Sequence, residues 1–140
     1  MSLSQRISAT IFLVGLCVQL QAMDRWSALS QIESGDNDRA VGRAGEISRY
    51  QIKPKVWERY APPKADWEKP QDSLEVVKNA MQARCRGFER AFHRAPNDFE
   101  FYVLWNAPAQ IRHPTKLVSC RAKRFCNLVM PEQGQDSPGS

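Results

Sequence analysis

Three short stretches of this chain carry residues suited to bond-breaking chemistry. Glu33 stands in Ile32-Glu33-Ser34-Gly35, Gln51 in Arg49-Tyr50-Gln51-Ile52, and Asn106 in Trp105-Asn106-Ala107-Pro108. An acid that keeps its proton near neutral pH can donate it to a leaving oxygen, which is what cleavage of a glycosidic bond requires. Two carboxamides and an aromatic ring nearby can hold and wall a sugar. The chemistry open to this set is therefore acid-assisted scission of a C–O bond.

Glu33 has two reasons to stay protonated. It falls in the last turn expected of a short helix, where the negative end of the dipole disfavours a second negative charge. It also follows Ile32, so partial desolvation against apolar walls would push its pKa upward. The competing view is a solvent-exposed Glu near a helix end. Glycosidases usually pair two carboxylates. Asp36, Asp38 and Glu46 follow Glu33, but the two aspartates fall in a loop expected to be solvated. A lone acid instead suits a reaction in which the substrate's own N-acetyl group is the internal nucleophile. The ionised Glu then serves as base toward the sugar's 6-hydroxyl, closing a 1,6-anhydro ring.

The order of these motifs resembles the lytic transglycosylases of the lysozyme-like superfamily. Ala28-Leu29-Ser30-Gln31-Ile32-Glu33-Ser34-Gly35 is similar to their first motif. Gly45 to Ile52 is similar to a second, Gly-Leu-Met-Gln. Val103-Leu104-Trp105-Asn106-Ala107-Pro108 is similar to a third, Ala-Tyr-Asn-Ala-Gly-Pro, and Arg121 to Val129 resembles the closing helix. The resemblance implies Glu33 as acid then base and Ser34 as a residue that orients it. Gln51 would contact substrate amides, Asn106 would hydrogen-bond the sugar, and Tyr50 would wall the cleft. Gln51 serving a buried backbone group and Asn106 as a plain helix-end residue are the competing views. Phage-type lysozymes carry an Asp nine residues after the acid, where this chain has Gly42. Trp105 replaces the Tyr that the family sets near the acid, and an indole N–H donates but does not accept. Tyr102, one turn earlier, is the substitute if it faces the cleft. Arg49-Tyr50 in place of Leu-Met implies a more polar N-acetyl pocket, and the Gly before Pro108 is missing.

The elements that must position these residues read as helices. Trp26, Leu29 and Ile32 recur at helical spacing between a capping Asp24 and a terminating Gly35. Residues 36–45 form a polar loop, and Ile47 to Ile52 is ambiguous between strand and irregular chain. Pro54 suits the first position of a short helix carrying Val56, Trp57 and Tyr60, ended by Pro62-Pro63. Asp72 with Glu75 forms a capping-box pattern opening a long helix striped by Leu74, Val77, Met81, Cys85, Phe88 and Phe92, broken at Pro96. Asn97 with Glu100 repeats the pattern for a helix through Phe99, Tyr102 and Val103, ended by Ala107-Pro108. Thr115 can cap a last helix with stripe Val118, Ala122, Phe125 and Val129, stopped by Pro131. Phe88, Phe92, Phe99 and Phe125 are expected to pack. The fold class is mainly α, a lysozyme-like helical domain over 23–130 with at most a small β element. A disordered tail is expected over 131–140.

Met1 to Ala22 has the Arg6 n-region, apolar run and small-residue end of a cleaved signal peptide. Its apolar run is well short of the ~20 residues of a helical span. Leu16 is too bulky for a lipid-attachment site at Cys17. Secretion or periplasmic export is expected, with no stable membrane insertion. The formal charge of +5 becomes +4 when Arg6 leaves with a segment that holds no acid. The cations alternate with acids and form no run with interleaved aromatics, so nucleic-acid binding is not expected; an anionic wall matrix suits the charge. Cys85, Cys120 and Cys126 survive processing. Cys85 with Cys126 is the more attractive pair, and three unpaired thiols the equal alternative. His93 and His113 lack zinc-ligand spacing, so no metal and no cofactor is expected. The expected function is a monomeric, exported peptidoglycan lytic transglycosylase cleaving the MurNAc-GlcNAc β-1,4 bond of glycan strands, with a lysozyme-type hydrolase as close variant. The alternative is a non-catalytic cell-wall glycan-binding module or envelope assembly protein of the same fold.

Overall fold

The computed structural model describes residues 22–129, so the expected leader up to Gln21 and the expected tail over 131–140 lie outside the described residues. The architecture is mainly α: α1 (Arg25–Ser34), α2 (Pro54–Tyr60), α3 (Pro70–Phe92), α4 (Asp98–Asn106) and α5 (Lys116–Val129), with a single 3-10 turn at Pro108–Gln110. The β content among the described residues is two isolated bridges, Val41 to Ile47 and Ile47 to Ile52. None of the described helices is long and apolar enough to cross a membrane.

The architecture is organised around α4. Five consecutive residues of it, Phe101 to Trp105, are buried. A helix apolar on every side has no face to give to water and belongs at the centre. It packs most extensively on α5 and also meets α3, while α1 lies against α5. Phe125 of α5 is fully buried, its ring 5.9 Å from Phe101 and 5.5 Å from Tyr102. Leu29 from α1 and Val76, Val77 and Met81 from α3 complete the interior. Phe88 and Phe125 are core, with Phe92 and Phe99 half-buried at its margin. Met23 N–H donates to the Leu128 carbonyl at 2.9 Å, closing the two ends of the described chain on each other.

Helix boundaries follow local chemistry. Asp24 caps α1 by accepting from Trp26 and Ser27 N–H, and Gly35 ends it in the left-handed conformation (φ 65). Pro54 opens α2 as expected. Asn97 and Glu100 make the full reciprocal capping box of α4. The start of α3 differs from expectation. It opens at Pro70, with Lys69 making no side-chain cap, and the Asp72 carboxylate instead accepts from the Asp66 backbone N–H at 2.8 Å. Proline has no N–H to leave unpaired at the first helical position and comes with helical φ, so the helix starts three residues early. Asp72 is free to order the connector. The end differs too: α3 stops at Phe92, where His93 turns left-handed (φ 56), before Pro96 is reached. Cys85 and Cys126 are half-buried, Cys120 is exposed, and all three are free thiols, so the attractive pair does not form.

Candidate active site

Glu33 is the penultimate residue of α1, and its side chain is only 6% exposed. It points at α4 and α5. Tyr102 Oη donates to Glu33 Oε1 at 2.7 Å, and Arg121 Nη2 stands 3.8 Å from Oε2. Burial raises the pKa of Glu33 above the usual carboxylate range. The Tyr102 hydrogen bond, the Arg121 charge and the Asn106 amide pull it back, while the charge of Glu46 adds to the rise. Desolvation wins. Tyr102 in turn is harder to ionise, chiefly through its own burial and then through the charge of Glu33 and the hydrogen bond to it. Tyr102 is a donor to this acid over the whole physiological range.

A cavity of about 260 Å³ opens beside Glu33. Its walls come from α1 (Glu33), the 42–53 loop (Gly42, Arg43, Ala44, Glu46, Gln51, Lys53), α2 (Val56), α3 (Arg84), α4 (Trp105, Asn106) and α5 (Arg121). The loop reaches the helices through specific bonds. Ile47 and Ile52 exchange reciprocal backbone bonds of 2.9 and 2.8 Å, and Gln51 N–H donates to Ser48 O at 3.1 Å. Ser48 (φ 69) and Gln51 (φ 50) both take left-handed backbone to fit within this closure. Trp105 Nε1–H then donates to the buried Tyr50 carbonyl at 3.2 Å, fixing the turn to α4. Gln51 Nε2 donates to Ser48 O at 3.2 Å, which orients its amide. Gly42 keeps the floor open. A Cβ there would meet the Glu46 carboxylate and lie 2.7 Å from Gln51 Oε1.

Glu33, Gln51, Trp105 and Asn106 thus meet in one cavity from positions far apart in sequence. Tyr102 does not face the cleft: fully buried, it lies outside the cavity lining, so it is not a substrate contact, and its hydroxyl reaches Glu33 from beneath. Ser34 does not orient Glu33. Its Oγ donates to the Arg49 carbonyl at 2.8 Å and accepts from Asn37 N–H at 3.0 Å, because the helix turns its side chain toward the loop rather than the carboxylate. Tyr50 is not a wall of the Glu33 cavity. It is 4% exposed, packs in the core and borders a separate depression with Trp26 and Asp36. Arg49 does not make the cavity polar either, since its guanidinium pairs with Asp38 at 2.6 Å on that other side. Asp36 accepts from Ser30 Oγ, and neither aspartate reaches the cavity.

Arg43, Lys53, Val56, Arg84 and Arg121 line the cavity without an expectation from the sequence, and Glu46, which the sequence offered as a further carboxylate after Glu33, lines it too. Arg121 was legible in part, as the polar neighbour of Ala122 on the α5 stripe. The loop residues carry no periodicity that would reveal their direction. Arg84 sits beside Cys85 on the α3 stripe and donates Nη1 to the Leu104 and Trp105 carbonyls at 2.9 Å each, so it holds the end of α4 that carries Asn106. No family model, no curated protein and no solved structure matches this chain.

Proposed function

We propose that this chain is an exported peptidoglycan-cleaving enzyme of the lytic transglycosylase type, acting on the MurNAc-GlcNAc β-1,4 bond. The observation that carries the reading is Glu33: a carboxyl buried at the wall of a cavity, biased toward its protonated form by desolvation, with a tyrosine hydroxyl on one oxygen. In the reaction Glu33 gives its proton to the leaving glycosidic oxygen. The N-acetyl oxygen of the same sugar closes on the anomeric carbon as the bond breaks. Glu33, now ionised and steadied by Tyr102 and Arg121, takes the proton from the 6-hydroxyl. That oxygen displaces the N-acetyl group and closes the 1,6-anhydro ring. The proton borrowed from Glu33 is returned, and no water is consumed. Gln51 and Asn106 are the amides offered to the sugar, with Trp105 as its apolar wall. If water reaches the intermediate first, the outcome is that of a lysozyme-type hydrolase.

The test is Glu33→Gln assayed on purified sacculi with mass analysis of the products. Positioned general acids are typically worth about 10²–10⁴ in rate, so turnover should fall by roughly a thousandfold while the fold persists. Anhydro ends in the wild-type digest support the transglycosylase outcome and reducing ends the hydrolase. A second reading, a glycan-binding module or envelope assembly protein without catalysis, is favoured by one observation: Tyr102 and Arg121 both stabilise the ionised carboxylate. Under it the wild type releases no product and Glu33→Gln binds glycan as well as the parent.

A further inference from the structure

The walls of the Glu33 cavity carry more positive than negative charge. Arg43 and Lys53 stand in the loop, Arg84 on α3 and Arg121 on α5, against Glu33 and Glu46 alone. One of those two acids must hold a proton to act, which widens the imbalance during binding. Two of the cations have structural employment: Arg84 on the α4 carbonyls and Arg121 beside Glu33. Arg43 and Lys53 have none. Both are exposed, and among the described residues neither forms an ion pair within 4.0 Å. Glu46 pairs with neither within 4.0 Å; its Oε2 accepts from the Ala44 backbone N–H at 3.0 Å. A neutral N-acetyl sugar needs amides and an apolar wall, which Gln51, Asn106 and Trp105 already supply. Unmatched cations around a cavity raise the local concentration of anions and discriminate against ligands that lack one.

Resting on the proposed function, we infer that the cleft selects glycan units bearing a carboxylate, with Arg43 and Lys53 as the specificity-determining residues. On a peptidoglycan strand that charge has two sources. One is the lactyl carboxylate of a muramyl unit stripped of its peptide, and the other is the set of carboxylates on an attached stem peptide. Arg121 lies within 4 Å of Glu33 and lines the same cavity. A substrate anion there takes over part of its charge.

The experiment measures binding with the Glu33→Gln protein, which should hold strands without cutting them, by titration calorimetry. Three probes are used: peptide-free strands, peptide-bearing strands, and peptide-free strands whose lactyl carboxylates have been amidated. Part-exposed ion pairs are individually weak, so two of them should give roughly a tenfold preference for free carboxylate over amide at low salt. The preference should shrink toward unity at ~0.5 M salt, where exposed charges are screened. It should shrink equally in an Arg43→Gln/Lys53→Gln background, whose melting temperature serves as the folding control. Peptide-bearing strands that bind more tightly than peptide-free ones assign recognition to the stem, and a preference for peptide-free strands that is lost on amidation assigns it to the lactyl group. Equal affinity for all three probes, no measurable binding of any strand, or a preference that survives loss of both cations would overturn the inference. The outcomes separate from those of the enzymatic reading. Wild type that cuts both strand types equally, with Glu33→Gln inert, sinks the selectivity alone; a Glu33→Gln protein that still cuts sinks the catalytic assignment whatever it binds.

Discussion

At the scale of single residues, Glu33 is held between opposing influences. Burial favours the neutral acid, which the proposed reaction needs as donor, while Tyr102, Arg121 and Asn106 favour the anion, which it needs as acceptor. A group asked to work in both directions needs both. Tyr102→Phe removes the largest of the opposing pulls and therefore moves the Glu33 pKa further upward. Cleavage by a protonated acid is lost as pH rises through that pKa, so the alkaline limb of the rate profile should move to higher pH. Maximal turnover should fall by roughly tenfold, because a charge-assisted hydrogen bond to the carboxylate is gone. A limb that stays in place or moves to lower pH would remove Tyr102 from the mechanism. The importance of Tyr102 was readable from the sequence only by its spacing from Trp105, one helical turn. Ser34 was misassigned for the corresponding reason: adjacency in sequence to Glu33 says nothing of direction, and successive helical residues point about 100° apart. Tyr50 is adjacent to Gln51 in sequence, yet Gln51 lines the Glu33 cavity while Tyr50 borders the separate depression beside Trp26.

At the scale of elements, the loop between α1 and α2 supplies half the lining of the cavity with almost no regular structure. Its packing is tested at Gly42. The atoms a methyl group would strike there are the ends of two side chains, Glu46 and Gln51, rather than backbone. Gly42→Ala should therefore leave the melting temperature within a few degrees and raise KM by roughly tenfold as Gln51 is pushed from its place. An unchanged KM would show that Gln51 does not meet the substrate. The helices were mostly legible because amphipathic periodicity and caps are local physics: Asp24, Gly35, Pro54 and the Asn97–Glu100 box all act where their spacing says. The exception at α3 is instructive. Two start signals overlapped, and the stiff Pro70 prevailed over the capping pattern at Asp72. The loop was illegible because its shape comes from long-range contacts, Trp105 to Tyr50 and Ser34 to Arg49, which no window of the sequence contains.

At the scale of the whole molecule, the site and the core share one helix. α4 carries Tyr102 and Asn106 on the same buried rod whose other faces hold α3 and α5 together. Phe125 backs that rod. Phe125→Ala should cost about 3–5 kcal/mol of stability by chemical denaturation, the range for removing a buried aromatic. Activity at temperatures where the variant stays folded should fall as well, because Tyr102 loses its ring contact. Full activity in a variant so destabilised would mean that α4 is held in place without α5.

The reciprocal pair between Ile47 and Ile52 has one last consequence. With both ends of the 48–51 segment tied and two of its residues already bent left-handed, an arriving ligand has little main-chain freedom left to quench there. The ordering of that stretch is settled when the polypeptide folds, so affinity need not be spent on it at encounter. Association should accordingly resemble docking to a rigid mould, and ligand titration should leave the amide resonances of 47–52 shifted in position but not in mobility.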